Sequence, residues 1–225
     1  MPSRLSSAGR DTLSFDSFVF APAKIKRVVT ESPKVKSFYL EYRDTPVPRP
    51  GQFFMVWLPG QEEIPISVSD AGNGFVRLSV ANQGQTTAEF HKLKVGAKLF
   101  LRGPFGNGFS LEGKSFLLIG GGYGIAPIVY AAKAISRDHK RCTYLVGAKS
   151  KSELLFVKEA RKLGVKVEVA TDDGSIGHHG FVTDLVASAV EGEKFGSVLT
   201  CGPERMMYGV VSFCAKRGIK AQASL

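Results

Sequence analysis

An antiparallel β-barrel followed by a parallel-sheet α/β domain is the fold class that this sequence predicts. Three observations carry it. Short alternating apolar runs, cut by Pro and Gly, occupy residues 18 to about 109. From Ser115 onward, strand-like runs alternate with helix-like ones. Two of those later strands end in turns poor in side chains, at Gly120-Gly121-Gly122-Tyr123-Gly124 and at Cys201-Gly202-Pro203.

Residues 1–17 are rich in Ser, Arg and Asp and lack hydrophobic periodicity, which reads as a mobile tail. Alternating runs follow at Val35–Tyr42, Gln52–Leu58 and Phe75–Val80. Pro46, Pro48, Pro50, Gly51, Pro59, Gly60, Gly72 and Gly74 punctuate them. Short, regularly broken strands of this kind describe a small antiparallel barrel or sandwich. The stretch Leu101–Phe109, with Gly103, Pro104, Gly106 and Gly108, is expected to close it with a tight turn.

The rhythm changes at a boundary near Leu111–Lys114, giving units over residues 18–111 and 112–225. Strands are expected at Phe116–Ile119, Thr143–Val146, Lys166–Ala170 and Ser197–Thr200. Helical patterns fall near 126–137, 152–163, 181–190 and 204–217. Such alternation calls for a parallel sheet with crossover helices.

Composition narrows the function. The 225 residues suffice for two small cores, and 44% hydrophobic with 22% charged residues is ordinary for a soluble globular protein. No apolar run is long enough to cross a bilayer and no secretory leader is visible, so a cytoplasmic location without membrane attachment is expected. Cys142, Cys201 and Cys214 are odd in number and widely spaced. That argues against a disulfide framework and against any metal site in the chain. His178-His179 falls in a Gly-rich loop and reads as solvated. The net charge of +10 is scattered, without a basic block or aromatic interleaving, which argues against nucleic acid. It fits a basic surface that receives anionic cofactors and an acidic partner subunit.

The chemistry-bearing signal is the run Phe116–Ile119 into its glycine turn, followed by a helix opening at Ile125-Ala126-Pro127. Glycines let backbone N–H groups approach a ligand, and a helix N-terminus suits a pyrophosphate. The spacing is not G-x-G-x-x-G, and glycine also serves purely structural turns. Val198–Pro203 supplies a second strand ending in a turn before a helix. Both ends should share one edge of the sheet, where ligands bind. Together the two turns imply a dinucleotide and redox chemistry.

In the barrel half, Ile64-Pro65-Ile66-Ser67-Val68-Ser69 is a rigid extended segment able to lie along a planar ligand, with Ser67 as a hydrogen-bond partner. An edge strand beginning with proline fits it equally. In Val80-Ala81-Asn82-Gln83-Gly84-Gln85-Thr86-Thr87, Thr86 or Thr87 is expected as a helix N-cap, with Gly84 leaving room for a phosphate. An ordinary helix cap fits here too.

In this order the motifs resemble the ferredoxin–NADP reductase superfamily, and most closely the electron-transfer subunit of NAD-linked dihydroorotate dehydrogenase. The resemblance covers the chain beyond its first residues. Glu153-Leu154-Leu155-Phe156 and Thr171-Asp172-Asp173-Gly174-Ser175-Ile176-Gly177 add to it, the latter continuing as His178-His179-Gly180-Phe181-Val182-Thr183-Asp184. It implies a flavin-binding barrel and a pyridine-nucleotide domain, with FAD as cofactor and NAD(H) as co-substrate. Pro65, Ile66, Ser67 and Val68 would line the isoalloxazine. Val80, Ala81, Gly84, Thr86 and Thr87 would surround the FAD pyrophosphate. Gly120, Gly121, Gly122, Gly124, Ala126 and Pro127 would receive the phosphates of the nicotinamide nucleotide. Asp172, Cys201, Gly202 and Pro203 would border that nucleotide, with Met206 on its adenosine side. Ser67 and Cys201 are expected at the chemistry, Ser67 by a hydrogen bond to the flavin and Cys201 as a polarisable wall.

Two departures stand out. Where the family's flavin motif usually opens with arginine this chain has Ile64, preceded by Glu62 and Glu63, which removes a bidentate charged contact. Some relatives of the dihydroorotate and hydrogenase type resemble the chain in this. Relatives also continue past a stretch like Ile219–Leu225 into four cysteines that ligate a 2Fe–2S cluster, and as written this chain is not expected to hold one.

The expected function is thus an FAD-containing subunit passing electrons between NAD(H) and a partner flavoprotein. The resemblance makes that partner a catalytic dihydroorotate dehydrogenase subunit of pyrimidine biosynthesis, in a hetero-oligomer. Alternatives are a subunit of a hydrogenase or ferredoxin:NADP oxidoreductase, a stand-alone flavin reductase, or a cofactor-degenerate structural module. Lys149 and Lys151 leave NADH against NADPH open.

Overall fold

The computed structural model describes residues 19–43 and 47–224. The tail expected over residues 1–17, and the punctuating Pro46, lie outside them.

Six strands close into an antiparallel barrel: β1 (Ala21–Ser32), β2 (Val35–Glu41), β3 (Phe53–Trp57), β4 (Ile64–Gly72), β5 (Phe75–Ala81) and β6 (Lys98–Phe105). Their order is β1-β2-β5-β4-β3-β6. Strand β6 closes the ring by pairing with both β1 and β3, so Leu101–Phe105 is the second half of a strand and the turn follows it. Helix α1 (Gln85–Lys92) connects β5 to β6 and buries Phe90. The interior holds Phe38, Leu40, Phe54, Leu78 and Leu99, with Phe38 edge-on to Phe90 at 4.8 Å between ring centres. Strand β4 pairs with β3 from Ile64, but its ladder with β5 starts only at Val68. The edge-strand reading therefore holds for Ile64–Ser67 alone, where proline's missing N–H breaks no ladder on the open side.

The second unit alternates β7 (Ser115–Gly121), α2 (Ile125–Arg137), β8 (Arg141–Ala148), α3 (Val157–Lys162), β9 (Lys166–Thr171), β10 (His178–His179), α4 (Asp184–Gly192), β11 (Ser197–Cys201), α5 (Glu204–Ala215) and β12 (Ala221–Ser224). The strands form one parallel sheet ordered β10-β9-β8-β7-β11-β12. Every residue of β7 is buried, as a strand covered on both faces must be. Phe116 and Leu118 join the cluster under α2 and α3, while Leu117 and Ile119 join the one under α4 and α5.

Three expectations shift. The helix expected over 152–163 breaks into a 3-10 turn at Lys151–Glu153 and the short α3, because Phe156 adopts a left-handed φ of 57°. Helix α4 starts at Asp184, after Val182 has packed on the sheet and left Phe181 exposed. Strands β10 and β12 were not legible: His178-His179 and the small polar Ala221–Ser224 carry little strand propensity. Pairing at the sheet edges forms them, and Gln222 adds two hydrogen bonds to the Ser110 backbone at 2.8 and 2.9 Å.

The two units interlock through α2. Tyr130 belongs to the barrel's apolar cluster and donates its hydroxyl to the Pro48 carbonyl at 2.6 Å. In return Val35, Ala81 and Phe109 belong to, or pack on, the cluster of the α/β unit. No helix among the described residues is long and apolar enough to cross a membrane.

Phe38 is fully buried, so Phe38→Ala should cost about 3–5 kcal/mol by lost transfer energy and cavity formation. A lowered urea midpoint at unchanged m-value would register it.

Candidate functional site

The chain order of the sheet reverses between β7 and β11, since β8, β9 and β10 lie to one side and β12 to the other. A crevice for ligands opens at the carboxyl ends of the strands at such a point. The register pairs Cys201 with Gly120, so the two predicted turns stand side by side there. Helices α2 and α5 leave these turns with N-caps Gly124 and Pro203, neither of which supplies a side-chain cap. Their orphan N–H groups and positive dipole ends suit an anion. This donor set fits a dinucleotide pyrophosphate.

The glycines have a packing reason as well. A Cβ on Gly124 would overlap the backbone of Cys201 and Gly202, lying 2.5 Å from the Cys201 carbonyl oxygen. One on Gly121 would stand 2.5 Å from the Met206 sulfur, and one on Gly120 3.1 Å from the Tyr144 hydroxyl. These three serve the packing of strand against helix. Gly122, with φ +55° and nothing within 4 Å of its Cβ direction, is the one whose open side faces free space. Ala126 and Pro127 are buried.

Cys201 is 9% exposed, and burial pushes its thiol up to about 11 against a hydrogen bond from Ser224 that pulls it down. At neutral pH it is a protonated thiol rather than a nucleophile. Ser224 reaches it because β12 pairs Ser224 with Cys201, a neighbour that no local pattern announced. The Tyr144 hydroxyl is buried without a partner, and burial raises its pKa well above the ordinary value.

Asp172 is exposed in the turn after β9, its N–H bonded to the Ala148 carbonyl at 3.1 Å. Strands β8 and β7 separate it from Cys201, about 14 Å at three strand spacings, so the structure does not bring the two together. Its turn is held by the Thr171 hydroxyl donating to the Ile176 carbonyl at 2.8 Å and by the Lys151 N–H donating to Ser175 Oγ at 2.8 Å. Ser175 also holds the Asp173 carboxyl below the usual range by hydrogen bonding to it.

On the barrel, Pro65 is exposed, Ile66 and Ser67 are half-buried, and Val68 and Val80 lie wholly in the core. The β4–β5 ladder ends at Val68 opposite Leu78, beyond which β5 runs on to Ala81 and then to α1. That start differs from the expectation of a threonine N-cap. Gly84 is the N-cap, and Thr87 reaches back so that its Oγ1 accepts from the Gln83 and Gly84 N–H groups, both at 2.9 Å. Glycine there meets nothing within 4 Å, which leaves the first turn of α1 open to a second anion. Thr86 is half-buried beside it. Glu63 is paired with Arg102 at 2.9 Å, which cancels one of the charges preceding Ile64. Among the described residues no three His, Cys, Asp or Glu side chains are grouped to hold a metal ion.

The oxidoreductase NAD-binding domain family matches residues 118–212. Relatives named "Probable dihydroorotate dehydrogenase B (NAD(+)), electron transfer subunit" are 40% identical in Methanocaldococcus jannaschii and 39% in Methanocella arvoryzae. The first alignment covers 90% of this chain and 76% of the relative, the second 88% and 74%. The chain belongs to this family of electron transfer subunits. It is thereby an oxidoreductase component of ferredoxin reductase-like architecture. The structure of an NADH-dependent reduced ferredoxin-NADP oxidoreductase superposes with a TM-score of 0.80 at 30% identity, covering 91% of this chain and 76% of that one. The ferredoxin reductase of carbazole 1,9a-dioxygenase shares the fold, with a TM-score of 0.81 at 22% identity over 92% of this chain and 69% of that one.

Gly124→Ala should destabilise the protein by several kcal/mol, on the order of a severe overpacking, whereas Gly122→Ala should cost only about 1–2 kcal/mol of left-handed backbone strain. Parallel thermal melts would separate them. Alkylation of Cys201 by iodoacetamide should be slow at pH 8 and climb as the pH approaches its raised value, read by peptide mass spectrometry.

Proposed function

We propose that this chain is the FAD-containing, NADH-linked electron transfer subunit of a cytoplasmic dihydroorotate dehydrogenase, working with a catalytic partner subunit. The observation that carries the reading is the pairing of the glycine turn and the Cys-Gly-Pro turn at the sheet's reversal point, beside a barrel with its own open helix start. Residues 18–111 would form the FAD unit and residues 112–225 the nicotinamide-nucleotide unit. FAD, when bound, supplies two-electron exchange with NADH and onward transfer to the partner.

The protein's part is to hold and orient. The first turn of α1, shaped by Gly84, Thr86 and Thr87, takes the FAD pyrophosphate on backbone amides, in place of the arginine absent at Ile64. Pro65, Ile66 and Ser67 lie along the isoalloxazine, with the Ser67 hydroxyl as its hydrogen-bond partner. The starts of α2 and α5 receive the phosphates of NADH. Cys201 walls the nicotinamide without donating or accepting a proton. Hydride transfer needs no acid or base from the protein, only an approach of roughly 3–3.5 Å with water excluded. The NAD(+) in the names of the relatives supports NADH over NADPH.

The similarity to the reduced ferredoxin-NADP oxidoreductase favours a second reading, in which the partner is another flavoprotein of that type. Co-purification with the product of a neighbouring gene decides between the two.

An anaerobic spectrum of the FAD-loaded chain should bleach on adding NADH. Bound flavin that NADH leaves oxidised would defeat the reading, and absence of any flavin binding would make the chain a structural module. Thr87→Ala should weaken FAD binding about tenfold through the lost ordering of the α1 start, measurable by equilibrium dialysis.

A further inference from the structure

The motif Glu153-Leu154-Leu155-Phe156 takes no part in either phosphate turn, yet it lies where the two units meet. Glu153 pairs with Lys34, in the β1–β2 turn of the barrel, at 2.8 Å. Phe156 is buried in a left-handed conformation that non-glycine residues avoid. That conformation sets its ring under the Arg77 guanidinium, 4.8 Å from the ring centre. One turn later Glu159 takes the same guanidinium in a two-point ion pair at 2.7 and 3.1 Å.

Arg77 is 2% exposed and stands in β5. Its other N–H groups donate to the Ser69 carbonyl at 2.8 Å and to Ser69 Oγ at 3.0 Å. Ser69 lies in β4, two residues beyond Ser67, and the next residue, Asp70, is ion-paired with Lys133 of α2. The strand expected to carry the flavin is thus tied at two successive residues to two helices of the other unit, Ser69 to α3 through Arg77 and Asp70 directly to α2. One of those helices, α2, starts at the glycine turn.

We propose that Arg77, Phe156 and Glu159 form a clamp that fixes the distance between the flavin strand and the nicotinamide turn, making Arg77 and Glu159 positioning residues for hydride transfer. The proposal rests on the reading above. The local chemistry supports it. A buried guanidinium needs both a charge partner and filled hydrogen-bond donors, and here these come from opposite units. The pair therefore has low tolerance for a change in the angle between them. An approach that tightens or slackens by about 1 Å changes transfer rates by about a hundredfold.

The test uses two readouts on the full chain. Spin labels on cysteines placed at exposed Val95 and Lys194, in a Cys142→Ser background, report the separation of the units by double electron–electron resonance, with or without FAD. Stopped-flow reduction of the FAD-loaded protein by NADH reports the limiting rate and half-saturation separately. Glu159→Gln should broaden the label distribution and lower the limiting rate about tenfold or more, with NADH half-saturation and FAD occupancy within about twofold of native. Phe156→Leu, which keeps an apolar side chain and removes the ring beneath Arg77, should move both readouts the same way. A narrow, native-like distribution in both variants overturns the clamp. If NADH fails to reduce even the native protein while the variants still broaden, the hydride-transfer reading falls and the clamp stands.

Discussion

The crevice depends on how tightly Gly124 packs on the backbone of Cys201 and Gly202, which leaves no room for a Cβ. That contact joins the end of β7 and the start of α2 to the end of β11, two segments about eighty residues apart in the chain. Any side chain at Gly124 would stand inside the Cys201–Gly202 peptide. Because that contact is closed by hydrogen-only positions, the two helix starts converge on one crevice with their orphan N–H groups facing a common space. Gly121 and Gly202 extend the same constraint through the Met206 side chain, which fits between them. The candidate site is therefore a consequence of close packing before it is a feature of ligand chemistry.

From that contact the order propagates along α2. The helix is buried along most of its length, and its first half serves two cores at once. Tyr130 closes the barrel's apolar cluster while Ile125 and Ile128 close that of the sheet. An ordinary linker between domains permits relative motion. Here an apolar helix face shared between two cores, with Tyr130 bonded to Pro48 and Lys133 paired with Asp70, resists it. The barrel returns the constraint through Arg77.

Burial also decides the chemistry available. A thiol in the Cys201 position stays protonated because the charged form would lose its hydration. The crevice then offers backbone amides, small side chains and a polarisable sulfur. That inventory suits electron or hydride movement between bound cofactors better than hydrolysis or group transfer.

The sequence by itself determined the two architectures. Alternation of period two in the barrel half and strand–helix alternation after Ser115 are local consequences of which faces must be buried. It also located both glycine-bearing turns and the Pro65–Ser67 segment, since Gly and Pro announce backbone constraints wherever they stand. The partners that Gly120, Gly121 and Gly124 pack against are not legible in it, because most are remote in the chain, and it expects at Thr86 or Thr87 a cap that Gly84 provides. Strand β12 and the approach of Ser224 to Cys201 exist only because β11 offers an edge. In the sequence Arg77 is one charged residue in an alternating run, and Glu159 one of several within the helical pattern over 152–163. Only the folded chain could pair them, because a buried ion pair between separate units depends on where two cores meet, and no local pattern encodes that.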